Sequence, residues 1–550
     1  MTERRFKGKA SSPGLAIGPL VHLDQDRRSN NREAGSPKDE SSALKEAIAK
    51  AASDLEALAA AASGDGAAIL AFQIEMLDDP ALTETVWPKI ADGEDGAQAW
   101  AAALNAEIEG YKAAEDDYFQ ARASDLEDLR DRVVRVLEGA GATPLAMPKG
   151  AILLACDLPP SRFLALDHAS LGGIALTKGS VHSHVAMLAR ARGLPMIVDL
   201  DLEISDLFDE KNGDGFPSGD AILNADDGCL LVTPDKAARR SFEAKLDAEK
   251  RIALKAAARR GQPAFTADGQ HVSILVNIDD PAAIDDAILK AADGVGLMRT
   301  EFLLLGRQDL PDEEEQLRIY ADLQKRLDGK PLIIRSFDIG GDKPLPALDL
   351  PDETNPFLGL RGIRLCLDRP EFFRPQIRAL LRAAANGPLD VMIPMVSVQG
   401  EIDETKHLFE TCLEELREEG KEALMPALGV MVETPAAAIA ADQLRAAFFS
   451  IGSNDLIQYT MAAARDAGGR VAELHDLEHP AFGRLLKMVV DQARLEGKDV
   501  SLCGDLASDP KALPLLLGAG LRKISVQPAA FDRVKATIET IDLAWLAKQP

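Results

Sequence analysis

The sequence has few cysteines, no long apolar run, and too few basic residues to balance its acidic ones. Its 550 residues include five scattered cysteines and no Cys-x-x-Cys pair, so neither a disulfide framework nor a zinc site is predicted. No apolar stretch approaches the roughly 18 residues of a membrane span, and the N-terminus lacks the apolar core of a signal peptide. The formal charge of −27 argues against nucleic acid or an anionic membrane as the main partner. These features predict a reduced, cytoplasmic protein without membrane insertion.

The composition and the hydrophobic pattern of the sequence change along the chain, which predicts several domains. Residues 1–35 and 143–233 contain short apolar runs that end in turns, and we expect them to form one α/β domain. Alanine-rich helical patterns over 36–142 predict a helical bundle inserted into that domain. The pattern of residues 234–261 predicts a linker helix, in which about 25 helical residues would span nearly 40 Å.

The remaining residues, 262–550, alternate regularly between β-type and helical patterns. Strand–helix alternation repeated eight times predicts a TIM barrel, a (β/α)8 fold. The eight predicted strands are VSILVNI (272–278), GVGLMR (294–299), LIIRSFD (332–338), DVMIPM (390–395), ALGVMVE (427–433), FFSIGSN (448–454), VSLCGD (500–505) and KISV (523–526).

One stretch of the α/β domain, KGSVHSHVAMLARARG (178–193), predicts a short helix with a histidine at its start. Ser183 is expected to cap the helix, and Arg190 and Arg192 fall in its last turn. His184 then lies where free backbone N–H groups and the helix dipole favour a phosphate, so its imidazole is a candidate phosphoryl carrier. A histidine near a helix start is more often structural, and this motif alone leaves that alternative open.

The residues that follow the predicted barrel strands carry unusual polar chemistry. In a TIM barrel the carboxyl ends of the strands meet at one mouth, where catalytic side chains lie. Structural residues alone would be apolar or turn-forming at these positions. The sequence instead has Arg299, Arg335, Glu433, Asn454, Asp455, Cys503 and Asp505.

These residue types favour a small polyanion and a divalent cation. Arginine forks match phosphate and carboxylate oxygens, and Arg361 and Arg465 lie in loops expected to reach the same mouth. Glu433 and Asp455 are the carboxylates expected to hold Mg2+, although ion pairs with the arginines are an equal alternative. Cys503 is either a buried, inert thiol or a proton donor or nucleophile.

Seven segments, in chain order, carry a resemblance to one known family. They read GSVHSHVAMLARARGLP, GVGLMRTEFLL, IIRSFDIGGDKPLP, NPFLGLRGIR, GVMVETPAAA, FFSIGSNDLIQYTMAAARD and LCGDLASDP. Together they resemble the Enzyme I family of the sugar phosphotransferase system, the phosphoenolpyruvate–protein phosphotransferases. Any one motif is modest evidence, but the ordered set is highly specific and extends over nearly the whole chain.

The resemblance implies a reaction and the residues that carry it. Phosphoenolpyruvate binds at the barrel mouth with Mg2+ and passes its phosphoryl group to His184, and then to a histidine of the small phosphocarrier protein HPr. Glu433 and Asp455 match the metal ligands, and Cys503 matches the proton donor that converts enolpyruvate to pyruvate. The helical insert corresponds to the HPr-docking subdomain, and family members form homodimers through the barrel. The substrate-binding positions match Arg299, Arg335, Arg361, Asn454, Asp455 and Arg465.

The chain departs from the family pattern at three positions. Thr-Ser-His is usual where His182-Ser183-His184 stands here. Phe163 occupies a position where resembling enzymes often carry threonine, a hydrogen-bond partner for the active imidazole. Asp505 follows Cys503-Gly504 where glutamate is common. The first two differences bear on how His184 is held and on which carrier it serves.

Three other functions fit parts of the same sequence. A dikinase or phosphoenolpyruvate synthase shares the histidine domain and the barrel, but it needs a large ATP-binding domain for which the first 150 residues have no room. A nitrogen-related paralogue serving a different carrier is closer, although it would be expected to add an N-terminal sensory domain. The third is a non-catalytic regulatory scaffold, which would take up no label from phosphoenolpyruvate.

Overall fold

The computed structural model describes residues 3–23, 35–61, 70, 73–77, 79–113, 117–139, 147–181, 183–207, 219–304, 307, 309–341, 348, 353–464, 471, 474 and 479–547. The chain divides into two compact units, Met1–Glu249 and Lys250–Pro550. Within the described ranges, no helix is both long and apolar enough to cross a membrane.

The first unit is built on an eight-stranded mixed sheet. The strands are β1 (Arg4–Lys7), β2 (Lys9–Ser12), β3 (Leu15–His22), β4 (Ala151–Ala155), β5 (Leu171–Leu176), β6 (Met196–Val198), β7 (Asp220–Asn224) and β8 (Cys229–Val232). Their order is β1-β8-β7-β3-β4-β5-β6-β2, with β3 to β6 parallel at the centre. Every residue of β4 is buried, as a central parallel strand requires. β7 and β8 form an antiparallel hairpin.

The chain between β3 and β4 forms the predicted helical insert. Its helices are α1 (Pro37–Ala61), α2 (Pro80–Glu84), α3 (Val86–Ala91), α4 (Gly96–Ala113) and α5 (Asp117–Leu137). Leu44, Leu55 and Trp100 are fully buried in the core of this bundle. Ser36 and Asp39 cap the start of α1: Ser36 Oγ accepts from the Asp39 N–H at 3.4 Å, and Asp39 Oδ2 accepts from the Ser36 N–H at 3.3 Å.

Three further helices flank this sheet or follow it in the chain. They are α6 (Pro160–Ala165), α7 (His184–Ala191) and α8 (Lys236–Ala258). The last confirms the single helix expected after residue 234, and the division between the two compact units falls inside it.

The second unit is the predicted barrel. Eight parallel strands close on themselves, from β10 through β17 and back to β10, and the short strand β9 pairs antiparallel with β10. All eight predicted strands are confirmed. The bounds are β9 (Ala264–Phe265), β10 (His271–Ile278), β11 (Val295–Met298), β12 (Leu332–Arg335), β13 (Asp390–Ile393), β14 (Leu428–Val432), β15 (Phe448–Gly452), β16 (Asp499–Cys503) and β17 (Lys523–Val526).

The barrel strands alternate their side chains between two cores, as the period of two requires. A large cluster joins the strands to the surrounding helices, and a smaller cluster contains Leu297, Met392, Met431, Phe448 and Cys503. The helices are α9 (Asp286–Ala291), α10 (Glu313–Leu327), α11 (Ile363–Asp368), α12 (Pro370–Ala384), α13 (Gln399–Glu418), α14 (Pro435–Ile439), α15 (Ser453–Met461), α16 (Pro480–Glu496), α17 (Leu513–Gly518), α18 (Phe531–Ile538) and α19 (Leu543–Leu546).

Candidate active site

Two of the predicted arginines lie at neighbouring strand ends and are held by carboxylates. Arg299 follows β11, and its Nη1 lies 2.5 Å from Asp279 Oδ1. Arg335 is the last residue of β12 and is almost fully buried. Its Nη2 lies 3.0 Å from Glu301 Oε1, and its Nη1 lies 3.0 Å from Asp338 Oδ2. Charge-assisted pairs of this kind fix the direction of each guanidinium.

Arg361 joins the same cluster from the loop after β12. It binds Asp338 through Nε and Nη2, both at 3.1 Å, and it binds Asp455 through Nη1 and Nη2 at 2.9 and 3.2 Å. Its Nη1 also donates to the Tyr459 hydroxyl at 3.1 Å, and that hydroxyl donates to the Phe357 carbonyl at 2.7 Å. Asp338 is therefore shared by Arg335 and Arg361, which spaces the two guanidinium groups.

Glu433 lies directly after β14 and is buried. Its Oε1 accepts from the Met395 N–H at 2.7 Å, and a Cβ at Gly452 would lie only 2.9 Å from Oε2, so glycine is needed there. Burial, followed by the charges of Asp455 and Asp338, raises the pKa of the Glu433 carboxyl to about 8. Among the described residues, no cation lies within ion-pair distance of it.

The strand ends of β15 and β16 bring the amide and the thiol together. Asn454 Oδ1 accepts from the Asp505 N–H at 3.0 Å, and Gly504, with φ of +97°, fits where a Cβ would meet Ser453 Oγ at 2.3 Å. Cys503 lies in the small inner cluster, with its Sγ 3.7 Å from Ser450 Oγ and 3.6 Å from the Ile451 carbonyl. Burial raises the pKa of the Cys503 thiol to about 11, so it is protonated at neutral pH.

At these strand ends the carboxylates outnumber the described arginines, so the charge there favours a bound cation. Six carboxylates stand against the three described arginines: Asp279, Glu301, Asp338, Glu433, Asp455 and Asp505. Ionising Glu433 beside Asp455 in a buried site requires added positive charge, and paired carboxylates are ligands that Mg2+ prefers. Within the described chain, no group of three or more His, Cys, Asp and Glu is arranged as a metal site. Water or a bound molecule would therefore supply the remaining ligands.

The predicted helix start at His184 is confirmed in the first unit. His184 is the first residue of α7, and Ser183 Oγ accepts from the Ala186 N–H at 3.3 Å. Arg190 reaches back from the last turn, where its Nη2 donates to the Val181 carbonyl at 2.7 Å. The turn before His184 is thus tied to the helix that follows it.

The sequence also singles out three other positions, His182, Arg465 and Phe163. His182 and Arg465 fall outside the described residues. Phe163 is fully buried and packs in one cluster with Val185, Leu188 and Ala189 of α7. Its ring lies 4.8 Å from that of His168, and the Arg192 guanidinium lies 5.3 Å from its centre.

Sequence reasoning missed four members of the barrel cluster. Asp279, Glu301 and Asp338 all lie within three residues of a strand end, so the rule used for the arginines would also have found them. Tyr459 follows Asp455 by four residues on α15, a spacing that puts both on one helix face. The described mouth otherwise brings together Arg299, Arg335, Arg361, Glu433, Asn454, Asp455, Cys503 and Asp505 as predicted.

Models of known families match three stretches of the chain. The PEP-utilising enzyme N-terminal model matches residues 7–122, the mobile-domain model matches 147–212, and the PEP-binding-domain model matches 254–543. The last match alone covers more than half of the chain.

Curated relatives match nearly the full length. The chain is 37% identical over 560 residues to the phosphoenolpyruvate-protein phosphotransferase of Geobacillus stearothermophilus, covering 98% of this chain and 93% of that one. It is 36% identical over 551 residues to the protein of the same name from Staphylococcus carnosus, covering 98% and 94%. It is also 37% identical over 545 residues to a multiphosphoryl transfer protein of Xanthomonas campestris pv. campestris, covering 96% of this chain and 63% of that one.

Proposed function

Because the chain belongs to the phosphoenolpyruvate-protein phosphotransferase family, we propose that it passes the phosphoryl group of phosphoenolpyruvate to His184 and then to a histidine of an HPr-type carrier. Pyruvate is the other product. The observation that supports this most is the convergence of arginines, paired carboxylates and a protonated thiol at one barrel mouth. In this role the chain would act in the cytoplasm as the first component of a sugar phosphotransferase system.

The arginines would hold the substrate's carboxylate and phosphate. Arg299 and Arg335 come from neighbouring strand ends, and Arg361 comes from the loop after β12. Each is paired with a carboxylate, and Arg335 and Arg361 share Asp338, which limits their movement. Fixed donors aimed at the phosphoryl oxygens stabilise charge as the bridging bond breaks. Asn454, Asp455 and Arg465 complete the proposed substrate-binding set.

Glu433 and Asp455 would hold Mg2+. When bound, the ion would offset the negative charge of the phosphoryl group and of the two carboxylates. Burial, together with the nearby charge of Asp455, raises the pKa of the Glu433 carboxyl to about 8. This supports the assignment, because Glu433 is then mostly protonated at neutral pH unless a cation is present.

Cys503 would protonate the carbon of the enolate. Transfer of the phosphoryl group breaks the bridging P–O bond and leaves the enolate of pyruvate. The thiol then donates its proton to the methylene carbon, giving pyruvate and a thiolate that is reprotonated from solvent. Cys503→Ala should slow pyruvate formation strongly while leaving phosphoenolpyruvate binding nearly intact. Normal turnover in this variant would make the thiol a core residue only.

His184 is the proposed acceptor, and labelling tests it directly. Full-length protein incubated with radiolabelled phosphoenolpyruvate and Mg2+ should take up acid-labile, base-stable label in the peptide that contains His184. His184→Ala should take up none, whereas His182→Ala should still be labelled. Label that survives in His184→Ala and disappears in His182→Ala would move the acceptor by two residues, and no label in the wild type would favour a scaffold.

A homodimer formed through the barrel is supported by exposed apolar side chains. Leu358, Val398 and Ile439 are 65%, 58% and 60% exposed and follow three successive strands, β12, β13 and β14. Apolar residues clustered at one end of a barrel favour an interface. Sedimentation velocity should therefore give a dimer at micromolar concentration, and Leu358→Asp with Val398→Asp should give a monomer. A wild-type monomer under these conditions would contradict the proposed dimer.

A further inference from the structure

A fully buried amide lies behind the strand ends that carry the arginines. Gln376 belongs to α12, in the outer ring of helices, and has no exposed surface. Its Nε2 donates to Thr300 Oγ1 at 3.2 Å, and its Oε1 accepts from the Phe337 N–H at 3.0 Å. Thr300 Oγ1 in turn donates to the Arg335 carbonyl at 3.0 Å. One side chain thus bonds to two segments of the mouth at once.

These two segments carry the charged groups of the mouth. Thr300 directly follows Arg299, and Phe337 lies between Arg335 and Asp338 in the chain. A second bridge runs in parallel, because Glu301 Oε1 accepts from the Asp338 N–H at 2.9 Å. Gln376 therefore links the two arginine-bearing segments, through the Thr300 hydroxyl on one and the Phe337 N–H on the other.

The chemistry of this contact is unusual for its place. Helices pack on barrel strands mainly through apolar side chains, and a buried amide that loses a partner leaves a desolvated polar group that destabilises the fold. An apolar residue would fill the same space and would have no polar atom that could lose its partner. Both polar atoms of Gln376 are bonded, so the amide gives a fixed geometry that apolar packing would not give.

We propose that Gln376 is a positioning residue that sets the spacing of Arg299 and Arg335 for phosphoenolpyruvate. The inference rests on the proposed function of the mouth, but not on the identity of the histidine acceptor. In this role Gln376 does not contact the substrate. It positions the arginines through Thr300 and the backbone of residues 335–338.

The chain offers a matched control at the other end of the barrel. Gln324 of α10 donates through Nε2 to the carbonyls of Ala383 and Gly387, at 3.0 and 3.1 Å, just before β13 begins. Its replacement removes the same kind of amide–backbone contact far from the mouth. Gln376→Met and Gln324→Met therefore both remove an amide bonded across helices of the barrel. They differ in location and in burial, since Gln376 is fully buried and Gln324 is half-buried.

The test measures phosphoenolpyruvate binding to the full-length protein with Mg2+ by calorimetry, together with unfolding in urea. Gln376→Met should weaken binding about tenfold, whereas Gln324→Met should bind normally whatever stability it loses. Thr300→Val should reproduce the binding defect, whereas Thr300→Ser, which keeps the hydroxyl, should bind normally. The double variant Gln376→Met with Thr300→Val should bind no more weakly than either single variant.

Two outcomes would overturn the proposal. One is normal binding by Gln376→Met and Thr300→Val, and the other is an equal binding loss in Gln324→Met. If Gln376→Met does not fold, the Thr300 pair decides alone. Wild-type protein that binds no phosphoenolpyruvate would refute the function of the mouth, while binding without labelling of His184 would refute only the acceptor.

Discussion

Arg361 donates from both terminal nitrogens to the two carboxylate oxygens of Asp455, at 2.9 and 3.2 Å. Asp455 is also one of the two carboxylates proposed to hold Mg2+. A cation at this place must therefore share Asp455 with the guanidinium, or draw it away. The same arginine is proposed to bind substrate, so its removal should affect the two ligands in opposite directions.

Arg361→Met should weaken phosphoenolpyruvate binding by about tenfold or more, because a charge-assisted contact is lost. In the absence of substrate it should bind Mn2+ about threefold to tenfold more tightly, since a positive charge no longer competes for Asp455. Electron paramagnetic resonance of free Mn2+ measures the second effect without turnover.

Arg364 provides the control for this change. It lies three residues further along the chain and contacts Glu401 and Ser397 instead of the mouth carboxylates. Arg364→Met should leave both ligands unaffected. Weaker Mn2+ binding by Arg361→Met would mean that the arginine supports the metal site instead of competing with it.

Glu433 should make the metal-free protein less stable as the pH rises. Its carboxyl has an ordinary pKa of 4.5, raised in the fold to about 8 by burial and by Asp455. Between these values the folded state holds a proton that the unfolded state has released, so stability falls with increasing pH and levels off above about pH 8. Glu433→Gln should flatten this part of a plot of melting temperature against pH.

The effect of a divalent cation on the melting temperature tests the same carboxyl. Mg2+ at pH 8.5 should raise the melting temperature of the wild type more than that of Glu433→Gln. Glu404→Gln, on an exposed position of α13, is the control and should follow the wild type. An unchanged pH slope in Glu433→Gln would show that its carboxyl is ionised throughout this range.

The barrel could be predicted because eight strand patterns recur, and the fold rule then places the residues after each strand at one mouth. That reasoning found Arg335 and Glu433 without any structure. It could not find that Asp338 bridges two arginines, or that Gln376 reaches them from an outer helix, because neither contact follows from spacing along one element. Ion pairs between strand ends depend on the curvature of the closed sheet, which a sequence pattern does not specify.

At Phe163 the sequence draws attention to a lost hydrogen bond, whereas the structure shows a residue of the hydrophobic core. The sequence comparison concerned a missing hydrogen bond to the imidazole, whereas the structure buries the ring under α7 beside Leu188. Phe163→Thr should therefore destabilise the protein by about 3 kcal/mol through a cavity, and Phe163→Leu by less than about 1.5 kcal/mol. Urea unfolding checks both values. Equal, small losses would mean that the ring is not a core residue.

The turn before His184 should depend on one of the two arginines in ARARG. Arg190 donates to the Val181 carbonyl at 2.7 Å, whereas Arg192 is exposed and its guanidinium lies over the Phe163 ring. Arg190→Met removes this side-chain hydrogen bond between the turn and α7, so phosphoryl transfer to and from His184 should slow about tenfold. Arg192→Met changes the same charge two residues away and should transfer at the wild-type rate. Quenched-flow labelling from phosphoenolpyruvate measures the forward step, and labelled carrier measures the reverse. Equal rates in the two variants would mean that charge in the last turn, and not the bond to Val181, is what His184 requires.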